Sequence, residues 1–275
     1  MTRKNAPRRE RLDKLLVERG LIESRARAQA LILAGRIRVN GQRVDKAGAP
    51  VAEDCEISLD EGRRWASRGA YKLLKAVEVF DIDVRGRVCV DIGASTGGFT
   101  DVLLEAGAGK VYAVDVGYGQ LISRLAKDSR VIVMDRANAR ALTPAHFGEA
   151  AVGLVVCDAS FISLRLLLPA IDAILSEEGE AVVLIKPQFE AGRERLERGG
   201  VVRDPFVHEA ILREVLDFAV RETRLRPVDL SWSPILGPEG NMEFLCRLTR
   251  GAPVVIDIAA VVEAARWDTH KIRHR

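Results

Sequence analysis

The chain has 275 residues, 48% hydrophobic and 29% charged, with 42 Lys and Arg against 39 Asp and Glu. At roughly 100–200 residues per domain, this is one large domain or one domain with a small module, and the apolar share excludes a disordered chain. No stretch approaches the roughly 18 uninterrupted apolar residues of a membrane span; even Val254–Val262 is broken by Asp257.

The charge is unevenly spread. Residues 1–46 carry 13 Lys and Arg against 5 Asp and Glu, whereas the other 229 residues carry 29 against 34. A basic head on a mildly acidic body is the layout of one module that grips a polyanion and another with a different task. Met1 to Glu10 hold no apolar core or small-residue cleavage site. No secretory signal is expected, and the protein is expected to be cytosolic. The cysteines, Cys55, Cys89, Cys157 and Cys246, are too far apart for a paired motif and read as buried reduced thiols. His146, His208, His270 and His274 are scattered, so no metal is expected.

Leu12, Leu15 and Leu16 recur at i, i+3, i+4 and predict a short helix that Gly20 ends. Ser24 suits the N-cap of a second helix, Arg25 to Ala34, closed by Gly35. Arg36 to Val39 alternates charged and apolar residues as a half-buried strand does. Asn40-Gly41 supplies a two-residue hairpin turn and Arg43-Val44 starts the return. These elements gather Arg8, Arg9, Arg11, Arg25, Arg27, Arg36, Arg38 and Arg43 in one unit, off its apolar face. Guanidinium forks suit phosphate better than point charges do. The run from Arg11-Leu-Asp-Lys-Leu-Leu through Ser24-Arg25, Ala28, Leu31-Ile32 and Gly35 to Val39-Asn40-Gly41 resembles the S4 RNA-binding domain. That resemblance implies a small α+β fold that binds structured RNA through helix and hairpin, chiefly by phosphate and shape.

Gly48, Pro50 and Gly62 surround one strand-like run, Cys55 to Leu59, and suggest a head over 1–60 and a linker over 61–66. A body over 67–250 and a helical tail over 251–275 complete the expected division. From Arg87 onward strands are predicted at Val88–Ile92, Val111–Val116, Val131–Met134, Gly153–Cys157, Ala181–Lys186, Leu225–Pro234 and Glu243–Thr249. Helices at Phe99–Ala106, Gly119–Ala126, Leu164–Ile174 and Phe206–Arg221 fall between them. This rhythm predicts a doubly wound, Rossmann-like α/β sheet with ligands at the carboxyl ends of its strands.

The first of these strands ends in Asp91-Ile-Gly93-Ala94-Ser95-Thr96-Gly97-Gly98-Phe99, a turn where backbone can approach a ligand closely. The spacing departs from G-x-G-x-x-G. The second strand ends at Asp115, where a carboxylate can take ribose hydroxyls. Asp91 with Asp115 suits a nucleoside with a cationic tail, which S-adenosylmethionine is. Asp135, Arg136 and Asn138 follow the third strand, where an adenine edge would be read.

Asp158 and Lys186 each end a buried apolar run with one charge, which needs a partner or a task. In a parallel sheet both open onto the edge that carries the glycine turn. Arg68-Gly-Ala-Tyr-Lys72, the Asp91–Thr100 turn, Asp115-Val-Gly-Tyr-Gly-Gln120, Asp158-Ala-Ser-Phe-Ile-Ser163, Leu184-Ile-Lys-Pro-Gln-Phe-Glu190 and Gly240-Asn-Met-Glu243 together resemble the haemolysin-A (TlyA-like) family. That family joins an S4 domain to an FtsJ-type ribose methyltransferase. The resemblance implies S-adenosylmethionine-dependent 2′-O-methylation of a cytidine in ribosomal RNA, with ribosomal RNA or ribosomal subunits as partners. It places the catalytic Lys-Asp-Lys-Glu set on Lys72, Asp158, Lys186 and Glu243, the cofactor loop on Gly93 to Phe99, and the ribose carboxylate on Asp115. Arg68 joins the head's arginines as a candidate RNA contact. Three rivals differ in class: an RNA-binding protein with an idle catalytic domain, a membrane-active haemolysin, and an NAD-linked oxidoreductase. The last lacks its glycine fingerprint, and the C-terminal stretch lacks the bulky apolar face of a lytic helix.

Overall fold

The computed structural model describes residues 8–59, 64–197, 199–252 and 254–273. The chain divides into two compact units between residues 64 and 65.

The first unit runs β1 (Arg9–Arg11), α1 (Leu12–Glu18), α2 (Arg25–Leu33), β2 (Ile37–Val39), β3 (Gln42–Arg43), β4 (Pro50–Ala52) and β5 (Ile57–Leu59). Leu12, Leu15 and Leu16 of α1 bury with Ala28 and Ile32 of α2 and Ile37 of β2. The Ser24 hydroxyl accepts a hydrogen bond from the Arg27 amide at 3.3 Å, capping α2. Asn40 and Gly41, both at positive φ, turn β2 into β3. Strand β2 lies between β3 and β5, and β1 pairs with β4, all antiparallel.

The second unit comprises α3 (Ala70–Val79), β6 (Val88–Ile92), α4 (Gly98–Glu105), β7 (Lys110–Val114), α5 (Ser123–Ala126), β8 (Val131–Met134), β9 (Val152–Cys157) and α6 (Leu168–Ile174). It continues with β10 (Leu175–Ile185), α7 (Pro187–Glu190), α8 (Pro205–Glu222), β11 (Arg226–Trp232), β12 (Phe244–Thr249) and α9 (Ile258–Arg273). The sheet order is β11-β12-β10-β9-β6-β7-β8. Strands β8, β7, β6, β9 and β10 are parallel, and β12 runs antiparallel to both its neighbours. Chain order reverses between β6 and β9, the switch point where such sheets bind ligands.

Alternation along the strands divides the core in two. Val90, Ile92, Val155, Cys157, Val183 and Ile185 bury on one face with α6, α8 and α9. Cys89, Leu154, Val156, Val182 and Leu184 bury on the other with α3 and α4. The four cysteines are buried free thiols. Burial pushes Cys89 and Cys157 up to about 12, so neither is a nucleophile near neutral pH.

The structure corrects several boundaries. Trp65 and Ala66, expected in the linker, pack into the second unit's core; residues 60–63 lie outside the described part. Helix α3 was not anticipated, although Ala70, Leu73 and Ala76 form its buried stripe. The helix expected over Gly119–Ala126 is confined to Ser123–Ala126. The one expected over Leu164–Ile174 is a 3-10 turn, Leu164–Leu166, followed by α6. Strand β10 begins at Leu175, six residues before the expected start at Ala181. The tail is not separate either: Ile258, Val262 and Ala265 of α9 join the core against α8 and β11.

Val262 is 1% exposed. Val262→Asp buries an unpaired carboxylate there and is expected to lower unfolding stability by several kcal/mol in urea titrations. An unchanged midpoint would detach α9 from the core.

Candidate active site

Strand register assembles most of the site. Ile185 pairs with Phe244, so Lys186, just past β10, and Glu243, just before the antiparallel β12, leave the sheet side by side. Cys157 pairs with both Val183 and Ile92, which brings Asp158 out at the same edge. Its amide donates to the Ile92 carbonyl at 3.0 Å. Lys72 enters from the first turn of α3.

The four expected side chains meet. Lys72 Nζ lies 2.7 Å from Glu243 Oε2 and 3.1 Å from Asp158 Oδ2. Lys186 Nζ lies 2.7 Å from Asp158 Oδ1 and also donates to the Asp158 carbonyl (3.1 Å) and the Ser160 hydroxyl (2.8 Å). Lys72, Lys186 and Glu243 are buried. Burial works against the Lys72 ammonium, but Asp158 and Glu243 outweigh it and hold its pKa above the ordinary lysine value. At Gly237 a Cβ would lie 2.9 Å from Glu243 Oε1, so the bare backbone there makes room for the carboxylate.

Two cavities adjoin this cluster. The larger, about 990 Å³, is lined by the four charged residues, by Arg68, which is exposed, and by Ala94, Ser95, Thr96, Gly98 and Phe99 of the glycine turn. The smaller, about 350 Å³, is lined by Asp115 and Asn138 with apolar neighbours that include Val114, Ile162 and Leu167. Gly93, Ser95, Asp158, Ser160 and Phe161 line both. Gly93 adopts a φ of 82°, and a Cβ there would lie 3.0 Å from the Ala159 backbone, so the turn closes tightly on the loop after β9. Asp115 accepts from the Ser95 amide at 2.8 Å and the Gly117 amide at 2.7 Å, tying the glycine turn to the loop after β7.

Four expected cofactor contacts lie elsewhere. Asp91 shares the face of Cys89, one residue out of phase with Val90 and Ile92, so it points beneath the turn toward α4. It is fully buried, and its Oδ2 accepts from the Thr100 amide (2.8 Å) and hydroxyl (2.7 Å), bracing the first turn of the helix. Gly97 turns inward under Leu121 and Leu125. Asp135 accepts from the Gly119 amide at 2.9 Å, and the Arg136 guanidinium stacks on Tyr118 at 4.5 Å. Both side chains serve the loops outside the cavity.

Sequence reasoning passed over Ser160, Phe161 and Glu190. Phe161 is 91% exposed at a φ of 63°, an unfavourable conformation for an aromatic residue, with its ring 5.3 Å from Phe189. Glu190 is buried and accepts from the Ser163 hydroxyl (2.7 Å) and Leu164 amide (2.6 Å), holding the far end of the Asp158 loop. Among the described residues, no group of His, Cys, Asp and Glu could hold a metal ion, and no helix is long and apolar enough to cross a membrane.

A strand-switch cleft with a glycine turn and an acidic second strand end belongs to a Rossmann-type enzyme that binds a nucleoside cofactor, and the family model narrows the class to a methyltransferase. The family model for FtsJ-like methyltransferases matches residues 65–250, and that for the S4 domain matches residues 10–57. More narrowly, the chain belongs to the TlyA family. It is 48% identical over 86% of its length to the 16S/23S rRNA (cytidine-2′-O)-methyltransferase TlyA of Mycobacterium tuberculosis, covering 88% of that protein. It is 40% identical over 86% of its length to Hemolysin A of Brachyspira hyodysenteriae, covering 98% of it. A solved structure of a hemolysin candidate from Streptococcus thermophilus superposes with a TM-score of 0.76 at 42% identity, over 98% of this chain and 100% of that one.

Burial pushes Asp91 up to about 7, against the opposing pull of the Thr100 hydrogen bonds. The unfolded carboxyl ionises near 3.9, so the folded chain binds the extra proton between about 4 and 7. Stability from this group is therefore full at low pH and is lost as pH rises through about 7. Asp91→Asn, which mimics the protonated acid, is expected to be more stable than the parent at pH 8 and to lose that advantage toward pH 4. Urea midpoints across this range measure it; parallel curves for the two proteins would refute the assignment.

Proposed function

We propose that the chain transfers a methyl group from S-adenosylmethionine to the 2′-hydroxyl of a cytidine in ribosomal RNA. The observation that carries this reading is the meeting of Lys72, Asp158, Lys186 and Glu243 on the wall of the larger cavity, with Asp158 also bordering the smaller. The smaller cavity fits an adenosyl group. Asp115 stands where ribose hydroxyls would lie, and apolar walls suit a base. When bound, S-adenosylmethionine supplies an electrophilic methyl on a sulfonium centre. The larger cavity then receives the RNA ribose, with Arg68 at its wall for a phosphate and the exposed Phe161 ring for a base face.

A ribose hydroxyl is a weak nucleophile, so the site must take its proton and align the oxygen. The two lysines are placed differently for this. Lys72 lies between two carboxylates and stays an ammonium that fixes both. Lys186 faces one carboxylate and two neutral oxygens. In the proposed step Lys186, its own proton released to solvent and its amine oriented by Asp158 2.7 Å away, accepts the proton of the 2′-hydroxyl as the oxygen–methyl bond forms and the methyl–sulfur bond breaks, the sulfur leaving as a neutral thioether.

Lys186→Ala is expected to slow methyl transfer to ribosomal RNA by roughly 10²–10⁴-fold while leaving S-adenosylmethionine affinity by calorimetry nearly unchanged. Transfer at the parent rate would remove Lys186 from the chemistry. A chain lacking residues 1–60 is expected to keep that cofactor affinity but to bind ribosomal RNA weakly and with a flatter salt dependence. Mapping 2′-O-methyl groups on ribosomal RNA from cells with and without the protein tests the whole reading; identical maps would end it.

A further inference from the structure

The head holds a buried charge that the catalytic reading does not use. Asp13, in the first turn of α1, is completely buried. Its carboxylate accepts a two-pronged contact from Arg11, with Nε to Oδ1 and Nη2 to Oδ2 both at 3.0 Å. Oδ2 also accepts from Arg25 Nη2 at 3.0 Å and Gln29 Nε2 at 2.8 Å, both on α2. These donors hold its pKa well below the carboxylate range, the Arg11 contact most strongly. The arginines themselves stay half in solvent, 52% and 54% exposed. Arg11 also lies over Gly48, where a Cβ would come within 2.9 Å of Nη1.

We propose that Asp13 is a positioning residue for RNA recognition, holding Arg11 and Arg25 side by side as a paired grip for phosphate. The inference rests on the RNA-binding role of the head proposed above. Two exposed guanidinium groups repel each other and lose side-chain entropy when ordered on a ligand. A carboxylate buried beneath both removes much of that cost in advance and leaves their outer N–H groups free for phosphate oxygens. Because Arg11 and Arg25 share one carboxylate, the cluster keeps a net positive charge.

The test exploits a conflict of signs. Asp13→Asn removes a negative charge from a basic module, so long-range attraction alone predicts equal or tighter RNA binding. Loss of positioning predicts the reverse: affinity for purified ribosomal RNA falls about tenfold near 150 mM salt, and the slope of log K against log salt becomes shallower by about 1–2. S-adenosylmethionine affinity stays at the parent value. Equal or tighter RNA binding by Asp13→Asn with an unchanged melting profile overturns the proposal. Should the head of that variant melt early, the Arg11→Lys/Arg25→Lys chain decides, since it keeps both charges and the buried carboxylate but loses the forks. Parent-like affinity in the double variant also overturns the proposal. The chain lacking residues 1–60 separates this failure from the wider one: if it binds ribosomal RNA like the parent, the head's RNA role fails as well.

Discussion

Four charged side chains gathered at one sheet edge are the constraint around which the catalytic unit is arranged. Any one of them alone would be costly to bury. Together Lys72, Asp158, Lys186 and Glu243 carry no net charge and are mutually ion-paired, so the cost of each is offset by the others. The arrangement depends on register more than on local sequence. A one-residue slip of β12 against β10 would turn Glu243 away from Lys72 and exchange the faces of Phe244 and Leu245, which bury on opposite sides. The core that fixes register therefore also fixes the chemistry.

Around that cluster the loops are braced by buried or bridging carboxylates. Asp91 holds α4 from below, out of reach of the cavities, and Asp115, on the wall of the smaller one, ties two loops together. Glu190 clamps the end of the Asp158 loop; burial pushes its carboxyl upward, against the Ser163, Leu164 and Arg165 contacts. Such bracing lets Phe161 keep a strained backbone at the junction of the cavities.

Much of this was legible because strand ends are marked in sequence. A lone Asp or Lys closing a run of buried apolar residues identifies both the strand and its exit, which is why the sequence alone brings Asp158 and Lys186 to one sheet edge. Asp91 misled for a related reason. It sits inside the strand, so pleat parity sends its side chain to the helix face, and composition alone does not reveal parity at a strand's last residues. Asp135 and Arg136 follow β8, but Arg136 adopts a positive φ, and both side chains are engaged by Gly119 and Tyr118 away from the cavity. The expected helical tail over 251–275 carries a thin apolar stripe of Ile258, Val261 and Val262, too thin to announce a place in the core. Ala265 is buried beside Ile258 and Val262, so the packed face of that helix is wider than its bulky residues alone suggest.

The head and the catalytic unit each place one carboxylate between two cationic side chains, with opposite results. At Asp158 both lysines are buried and Glu243 completes a neutral set, an environment suited to an uncharged hydroxyl and to short proton movements. At Asp13 both arginines stand half in water, and the excess positive charge faces outward, which suits phosphate. In the roles proposed, lysine suits the first case because a compact amine can exchange a proton, and arginine suits the second because its fork stays charged and binds two oxygens at once. Depth of burial, more than residue count, sets the task of each cluster.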